Sequence, residues 1–468
     1  VLGAYGSPGG LLLTLFLLEG LRAAKWQIGL VLTMTYLGPT FEPLGAYLAE
    51  RLGRRRPLFL AGFLLNRLPF FVLGVVPLLG PARRVLGTAV VLAVVAVTRV
   101  GAALGTPVWW GWVADLVPER SRARFFGCRA QWAGAVTAAS LVIGLTLLET
   151  CGGLANRWLV GGLFTAGATF GTLDILLYLG VPEPPRGSGG PAPGGDFPHA
   201  LVEHLREPFA TPSFRRLILG MGLWSFSANL VVPFVPVYQR GECLGGQRLG
   251  LGISFLALAG LNVLASLATM VTARRWGDWG QRLGPRRLLL VGSGYLFINL
   301  AYCLVGPGSL PLLVPIGLAG GALAGAWTVV TNQLLLATAP RENRGYFVSA
   351  YNLTNGWLMA GGPLLGGLLA DRLPLLGGGL PGGLPWCYFH LLVLLACAGG
   401  AAALVVLAGG TAGRRAAPSA PAPAGQRVVF ARVRLEAGRL TVRQAGGITD
   451  SGEAGRLHER EATCPNRS

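Results

Sequence analysis

Apolar runs of 19 to 27 residues recur along this chain almost from end to end. Each is long enough to cross a hydrocarbon core about 30 Å thick. A strand-built membrane barrel would show segments of about ten residues with alternating polarity, and these solid blocks do not alternate. A water-soluble fold is excluded on the same grounds, since only 13% of the residues are charged against roughly 25% in an average soluble domain. The chain is therefore expected to be an all-α membrane protein.

Reading apolar blocks between charged clusters predicts twelve transmembrane helices, at 1–20, 27–49, 57–80, 86–112, 130–150, 158–181, 216–239, 249–273, 288–306, 310–338, 346–370 and 386–409. Their orientation follows from the basic residues in alternate loops, because positive loops remain in the cytoplasm. One set, including Arg51, Arg54, Arg55, Arg56, Arg122, Arg282, Arg286 and Arg344, holds 19 basic residues, and the opposite set holds 8. The Arg-rich set and both termini are thus expected on the cytoplasmic side of the inner (cytoplasmic) membrane. The net charge of +19 is mostly topology and implies no nucleic acid. Only Arg67 and Arg99 are basic within the spans.

The expected organisation is an N-terminal six-helix bundle at 1–182, a Pro/Gly-rich cytoplasmic central loop at 183–215, a C-terminal six-helix bundle at 216–409 and a mostly disordered cytoplasmic tail at 410–468. The composition of that tail cannot bury a core, although "RVVFARVRLEAGRLTVRQ" alternates enough to suggest a small hairpin. Val1 opens directly into an apolar stretch without a basic n-region or cleavage site, so no signal peptide is expected. The seven cysteines form no CxxC pair, and no metal, cofactor or disulfide framework is expected. No Walker A motif is present, so nothing supports ATP hydrolysis.

The halves echo one another. "PLGAYLAERLGRRRPLFL" at 43–60 matches "WGDWGQRLGPRRLLLVG" at 276–292, Gly53 facing Gly284. "VPERSRARFF" at 117–126 matches "APRENRGYFV" at 339–348, Arg122 facing Arg344. "WQIGL" matches "QRLGL", Gly29 facing Gly250. Six helices is an even number, so both halves enter from the same side and are related by a pseudo-two-fold along the membrane normal.

These residues resemble the major facilitator superfamily of secondary transporters. Its loop motif between helices 2 and 3, G-x-L-A-D-R-x-G-R-[RK]-x, is matched by Gly45, Leu48, Ala49, Arg51, Gly53, Arg54 and Arg55, with Glu50 in the acidic position. The motif between helices 4 and 5 is matched by Asp115, Pro118, Arg122 and Gly127. In the second half, Gln281 occupies the acidic position and Asp278 stands three residues earlier, beside Arg282, Gly284 and Arg286. Arg99 lies one helical turn away from the arginine that many proton-coupled members carry. The resemblance implies the superfamily fold, a central cavity lined by helices 1, 4, 7 and 10, and alternating access, with a small solute, the bilayer and a proton as partners of a monomeric non-enzyme. The alternative is a non-transporting receptor or structural protein on the same fold.

Physically, Glu50 at the end of helix 2 suits a cytoplasmic gate, and the arginines beside it suit either that gate or a topological anchor. Glu42 and Arg67 lie at matching depths on consecutive helices and are expected to form an ion pair, structural or coupling. Arg99 near the midplane meets an anionic solute, or pairs with Asp174, or packs with its donors on backbone carbonyls. Asn229, Thr331, Asn332 and Gln333 are candidates for the cavity wall, since an amide within a span can bond a polar solute or glue helices. "GGPLLGG" at 361–367 resembles the superfamily's antiporter motif but lies in helix 11, where its glycines suit close helix packing. Trp109, Trp110 and Trp112 suit an interfacial belt.

Overall fold

The structure is a computed structural model that describes residues 1–52, 55–117, 119–181, 206, 208–244, 247–338, 344–379, 385–411, 432–436 and 439–443. Among these, nine helices are long and apolar enough to cross a membrane. Three further helical segments occupy the places of helices 1, 2 and 11, at 2–20, 25–52 and Arg344–Arg372, which completes twelve. Helices 2 and 11 pack on each other along the seam between the halves, where neighbouring helices replace lipid, so their lower apolarity is affordable.

Several helices depart from unbroken spans, each where its residues demand it. Helix 1 is interrupted between Tyr5 and Leu11. Pro8 falls in this gap, and Gly9 adopts φ +78, a conformation that a side chain resists. Helix 2 tightens into a 3₁₀ turn at Gly38–Phe41, with Pro39 in its first turn. Helix 7, at Pro212–Val231, makes a similar turn at Val232–Phe234 before continuing as Val235–Arg240. Pro233 and Pro236 cause that bend, because a proline within a helix removes one backbone hydrogen bond.

The predicted loop between helices 8 and 9 is helical. A single run, Phe255–Phe297, covers both. At 1.5 Å per residue its 43 residues would extend about 65 Å if straight, twice the membrane core. Instead its two ends run in opposite directions along helix 10, Leu313–Thr338. Leu261 and Ala265 meet Gly317 and Gly321, whereas Gly292 meets Trp327 and Gly294 meets Leu323. The turn falls in the stretch containing Gly277, Gly280, Gly284 and Pro285, residue types found at sharp helix kinks.

Helix 8 begins at Phe255, six residues later than expected, with the Ser254 hydroxyl accepting from Ala257 N at 3.2 Å as its cap. The preceding residues form the antiparallel hairpin β1 (Glu242–Leu244) and β2 (Gln247–Leu249). Gly250, matched in sequence to Gly29, lies outside any helix at φ +107, whereas Gly29 lies inside helix 2. That third landmark of the repeat therefore does not mark equivalent positions. A second hairpin, β3 (Leu375–Gly379) with β4 (Pro385–Cys387), links helices 11 and 12.

The core divides in an informative way. One continuous group of buried apolar side chains joins the halves, from Leu12, Phe16 and Ile28 to Val231, Phe234 and Phe389. Toward the Arg-rich end each half has its own group, around Phe59, Trp109 and Trp112 in the first and around Phe214, Leu335 and Phe347 in the second. The halves thus share a core toward the Arg-poor end and part toward the other. Trp109 and Trp112 belong to this interior, with Trp109 Nε1 donating to the Tyr178 hydroxyl at 3.0 Å. Of the three tryptophans expected in a belt, only Trp110 is exposed.

Residues 412–468 form a separate unit. Within it the expected hairpin is present, pairing β5 (Arg432–Glu436) with β6 (Arg439–Arg443).

Candidate functional site

At the Arg-poor end, three carboxylates fasten one half to the other. Asp371, penultimate in helix 11, accepts from the first backbone N–H groups of helix 2, Lys25 N at 3.0 Å and Trp26 N at 2.8 Å. Glu149, penultimate in helix 5, accepts from the first N–H of helix 8, Phe255 N, at 2.9 Å. Both carboxylates satisfy orphan donors where a helix macrodipole favours negative charge. They stand 222 positions apart, so the same contact is made twice. Between them, Glu19 at the end of helix 1 pairs with Arg240 at the end of helix 7, Oε1 to Nε 2.7 Å. Arg240 also donates to Ile253 O at 3.0 Å and lies 4.0 Å from the Phe255 ring centroid.

Below this end the seam is close. Gly29 abuts the Pro363 carbonyl, and Gly367 abuts the backbone at Lys25 and Trp26. The Thr33 hydroxyl donates to Ala360 O at 2.7 Å. Gly362 packs on the Phe226 carbonyl, and Gly366 on the Leu230 carbonyl. The glycines of 361–367 therefore bring helix 11 onto helices 2 and 7, as their small size allows. The contact reaches Tyr36, whose hydroxyl donates to Asn229 Oδ1 at 2.8 Å. From Lys25 to Tyr36 is about 16 Å along a helix, half the membrane core.

Beside this seam lies a cavity of about 410 Å³, bounded by Gly9 and Leu11 of helix 1 and by helices 7, 8, 9 and 10. Its polar residues are Gln239, Asn262, Ser266, Thr269, Tyr295, Asn299 and Tyr302. Inspection of helices 1, 4, 7 and 10 alone misses most of them, because they stand on helices 8 and 9. The available signal was spacing: 262, 266 and 269 form one helical stripe, and 295, 299 and 302 another.

The expected site residues fall elsewhere. Asn229 is buried with both ends of its amide engaged, Nδ2 donating to Ser225 O at 2.8 Å. Thr331 donates to Trp327 O, Gln333 lies against Gly280, and Asn332 is exposed. None of these four lines the cavity. Among the described residues no ion pair joins Glu42 to Arg67. The Arg67 stem packs on Gly171 of helix 6, and the carboxylate acting on its charge is Asp174 of that helix. Burial between helices 3 and 6 has turned Arg67 away from helix 2. Arg99 packs on Gly38 at the helix 2 break and feels the charge of Arg67. The Nε atoms of both arginines are buried without a partner among the described residues.

In the gate motif, Gly45 lets helix 2 approach the carbonyls of Ala103 and Leu104 in helix 4. Arg51, Asp278 and Arg282 are exposed, and Arg55 opens helix 3. Gly53, Arg54 and Pro118 lie outside the described residues, as do the side chains of Glu50, Asp115, Arg122, Arg286 and Arg344 and the surroundings of Gly127 and Gly284. Among the described residues no cluster of His, Cys, Asp or Glu could hold a metal ion. Buried His390 is engaged at both nitrogens, by Cys387 N at 3.3 Å and the Tyr238 hydroxyl at 3.1 Å.

Twelve helices in two halves, closed at one end over a polar cavity, define a membrane transporter of the two-bundle class. The model of the Major Facilitator Superfamily matches residues 3–275, and the chain belongs to that superfamily. Among solved structures it is similar to a mutant of the nucleoside transporter NupG, at 11% identity and TM-score 0.66 over 85% of this chain and 94% of that one. It is also similar to the xylose transporter XylE from E. coli, at 15% identity and TM-score 0.60 over 86% and 92%. A POT family transporter solved with 5-aminolevulinic acid gives 16% identity and TM-score 0.58 over 88% and 94%. No curated protein matches the chain in sequence.

Proposed function

We propose that this transporter moves a small solute across the cytoplasmic membrane by alternating access, with the Arg-rich loops and both termini in the cytoplasm and a proton as the coupling ion. The observation that carries this reading is the division of the core, shared toward the Arg-poor end and split toward the Arg-rich end. Such a wedge is one of the two shapes that rocking bundles exchange. The Glu19, Glu149 and Asp371 contacts then form the outer closure, and they must break for the cavity to face outward. The loop motifs around Glu50 and Asp278 serve as the cytoplasmic gate that closes in the exchanged state. The bundles 1–182 and 216–409 are the moving bodies, and 183–215 is their tether.

The cationic pair Arg67 and Arg99 with Asp174 is the candidate coupling element, together with Glu42. Reconstituted protein tests the proposal by counterflow of radiolabelled sugars, nucleosides and organic acids, with and without a pH gradient. Saturable counterflow of one solute is expected, accelerated by the gradient in the parent and not in Glu42→Gln. Absence of flux for every solute refutes transport, and flux indifferent to pH refutes the proton.

A further inference from the structure

The cavity wall carries more chemistry than its volume. None of the described residues that line it is charged, and its three carboxamides are oriented alike. Asn262 Nδ2 donates to Leu258 O at 2.9 Å, Asn299 Nδ2 to Leu296 O at 3.2 Å, and Gln239 Nε2 to the Tyr302 hydroxyl at 2.7 Å. Each amide spends one of its two N–H donors on the protein, which leaves its carbonyl oxygen and a second N–H for a solute that both donates and accepts, as a hydroxyl does. Tyr302, accepting from Gln239, keeps its O–H to donate. The Tyr295 hydroxyl has no protein partner among the described residues, and its ring lies 6.0 Å from Trp224.

Helix 10 packs closely on helix 8. Gly317, Gly320 and Gly321 remove side chains from the face that borders the cavity, and Gly321 sits directly on the Ala265 backbone. Tyr295, Asn299 and Tyr302 of helix 9 border the same space.

We infer that the transported solute is neutral and rich in hydroxyl or N–H donors, a sugar, polyol or nucleoside, held by the carbonyl oxygens of Gln239, Asn262 and Asn299 and flanked by Tyr295 and Tyr302. This rests on the transporter reading above. A charged solute entering the cavity would lose its water and find no counter-charge, and burying an unpaired ion is costly. A solute with several donors matches the acceptors, and a wholly apolar one would leave them unpaired. The volume lies within the range of small-molecule sites, about 300–1,000 Å³.

The experiment uses the purified full-length chain and four probes: glucose, uridine, gluconate and glucosamine. Binding is read by thermal shift and calorimetry, because a ligand of the folded state raises its apparent stability. Glucose or uridine should bind at least about tenfold more tightly than gluconate or glucosamine. Tyr295→Phe and Asn299→Leu should each weaken that binding about 3- to 10-fold, the value of one hydrogen bond. Asn332→Ala, outside the cavity, should leave it unchanged. Tyr295→Phe keeps its ring and guards against misfolding, which the melting of the unliganded variant checks directly.

The inference is overturned if a charged probe binds as tightly as the neutral ones, if neither neutral probe binds, or if Tyr295→Phe and Asn299→Leu both bind like the parent. Counterflow in proteoliposomes separates it from the reading beneath it. Neutral probes that bind but do not cross the membrane sink the transport proposal and leave the solute class standing. Flux of gluconate untouched by the cavity variants does the reverse.

Discussion

Replacing Glu19 by Gln tests whether the closure at the Arg-poor end is electrostatic. The Glu19 and Arg240 side chains are 29% and 26% exposed and meet at 2.7 Å. Fully exposed ion pairs contribute about 0.2–1 kcal/mol, whereas hydrogen bonds to charged groups contribute about 1.5–3 kcal/mol. At this partial exposure, loss of the charge with retention of the shape should cost the closed state about 1–1.4 kcal/mol. That is a fivefold to tenfold change in its ratio to the state opened at this end. A minor conformer at about 1% would rise to about 5–10%, within the usual range for minor states.

Pulsed dipolar spectroscopy reads this directly, with spin labels at the exposed positions Arg83 and Leu373, one in each half, in a background without native cysteines. Glu19→Gln should enlarge the long-distance population. The exchange Glu19→Arg with Arg240→Glu should reverse most of that change by restoring the pair with its sign inverted. An unchanged distance distribution in Glu19→Gln would refute a role for the ion pair in the closure and leave the Glu149 and Asp371 caps and the packing of helix 2 on helix 11 to hold it.

The two capping carboxylates should behave as equivalents. Asp371→Ala and Glu149→Ala should each lower stability by about 0.5–2 kcal/mol, as loss of a helix cap does, and thermal denaturation should show the larger loss for Asp371, which accepts from two N–H groups. Gly29→Val places a side chain against the Pro363 carbonyl; overpacking of this kind costs about 1–3 kcal/mol, and the melting temperature should fall along with the closed population in the same dipolar measurement. His390→Leu leaves the buried Tyr238 hydroxyl without its partner, and denaturation should show a loss of about 1–3 kcal/mol. A melting point equal to the parent's would mean that Tyr238 finds another acceptor.

The membrane character, the twelve helices and the doubling of the chain were legible because each is written in local runs or in repeated strings. The closure was not. Glu19, Glu149 and Asp371 sit among ordinary polar residues at helix ends, and two of the three bond backbone N–H groups more than 100 positions away, which no string records. The repeat misled at Gly250, where an inserted hairpin shifts helix 8 while "QRLGL" still resembles "WQIGL". Depth alone also misled for Arg67. Two residues at one level on consecutive helices pair only if both face the same groove, and Arg67 faces helix 6. Asn229 was expected on the cavity wall, but it stands at the seam, where the hydroxyl it meets belongs to Tyr36 of the other half.

Glu19 and Arg240 touch, and each stands at the end of the first helix of its half, so the two occupy nearly equivalent positions. Such a contact lies on the two-fold axis, where identical halves would set like charge against like. The capping contacts lie off that axis, and identical halves would make both of them without change. A chain doubled from one bundle could therefore have carried the two caps from its first day. The ion pair, by contrast, can form only because the two halves differ in sign at that place.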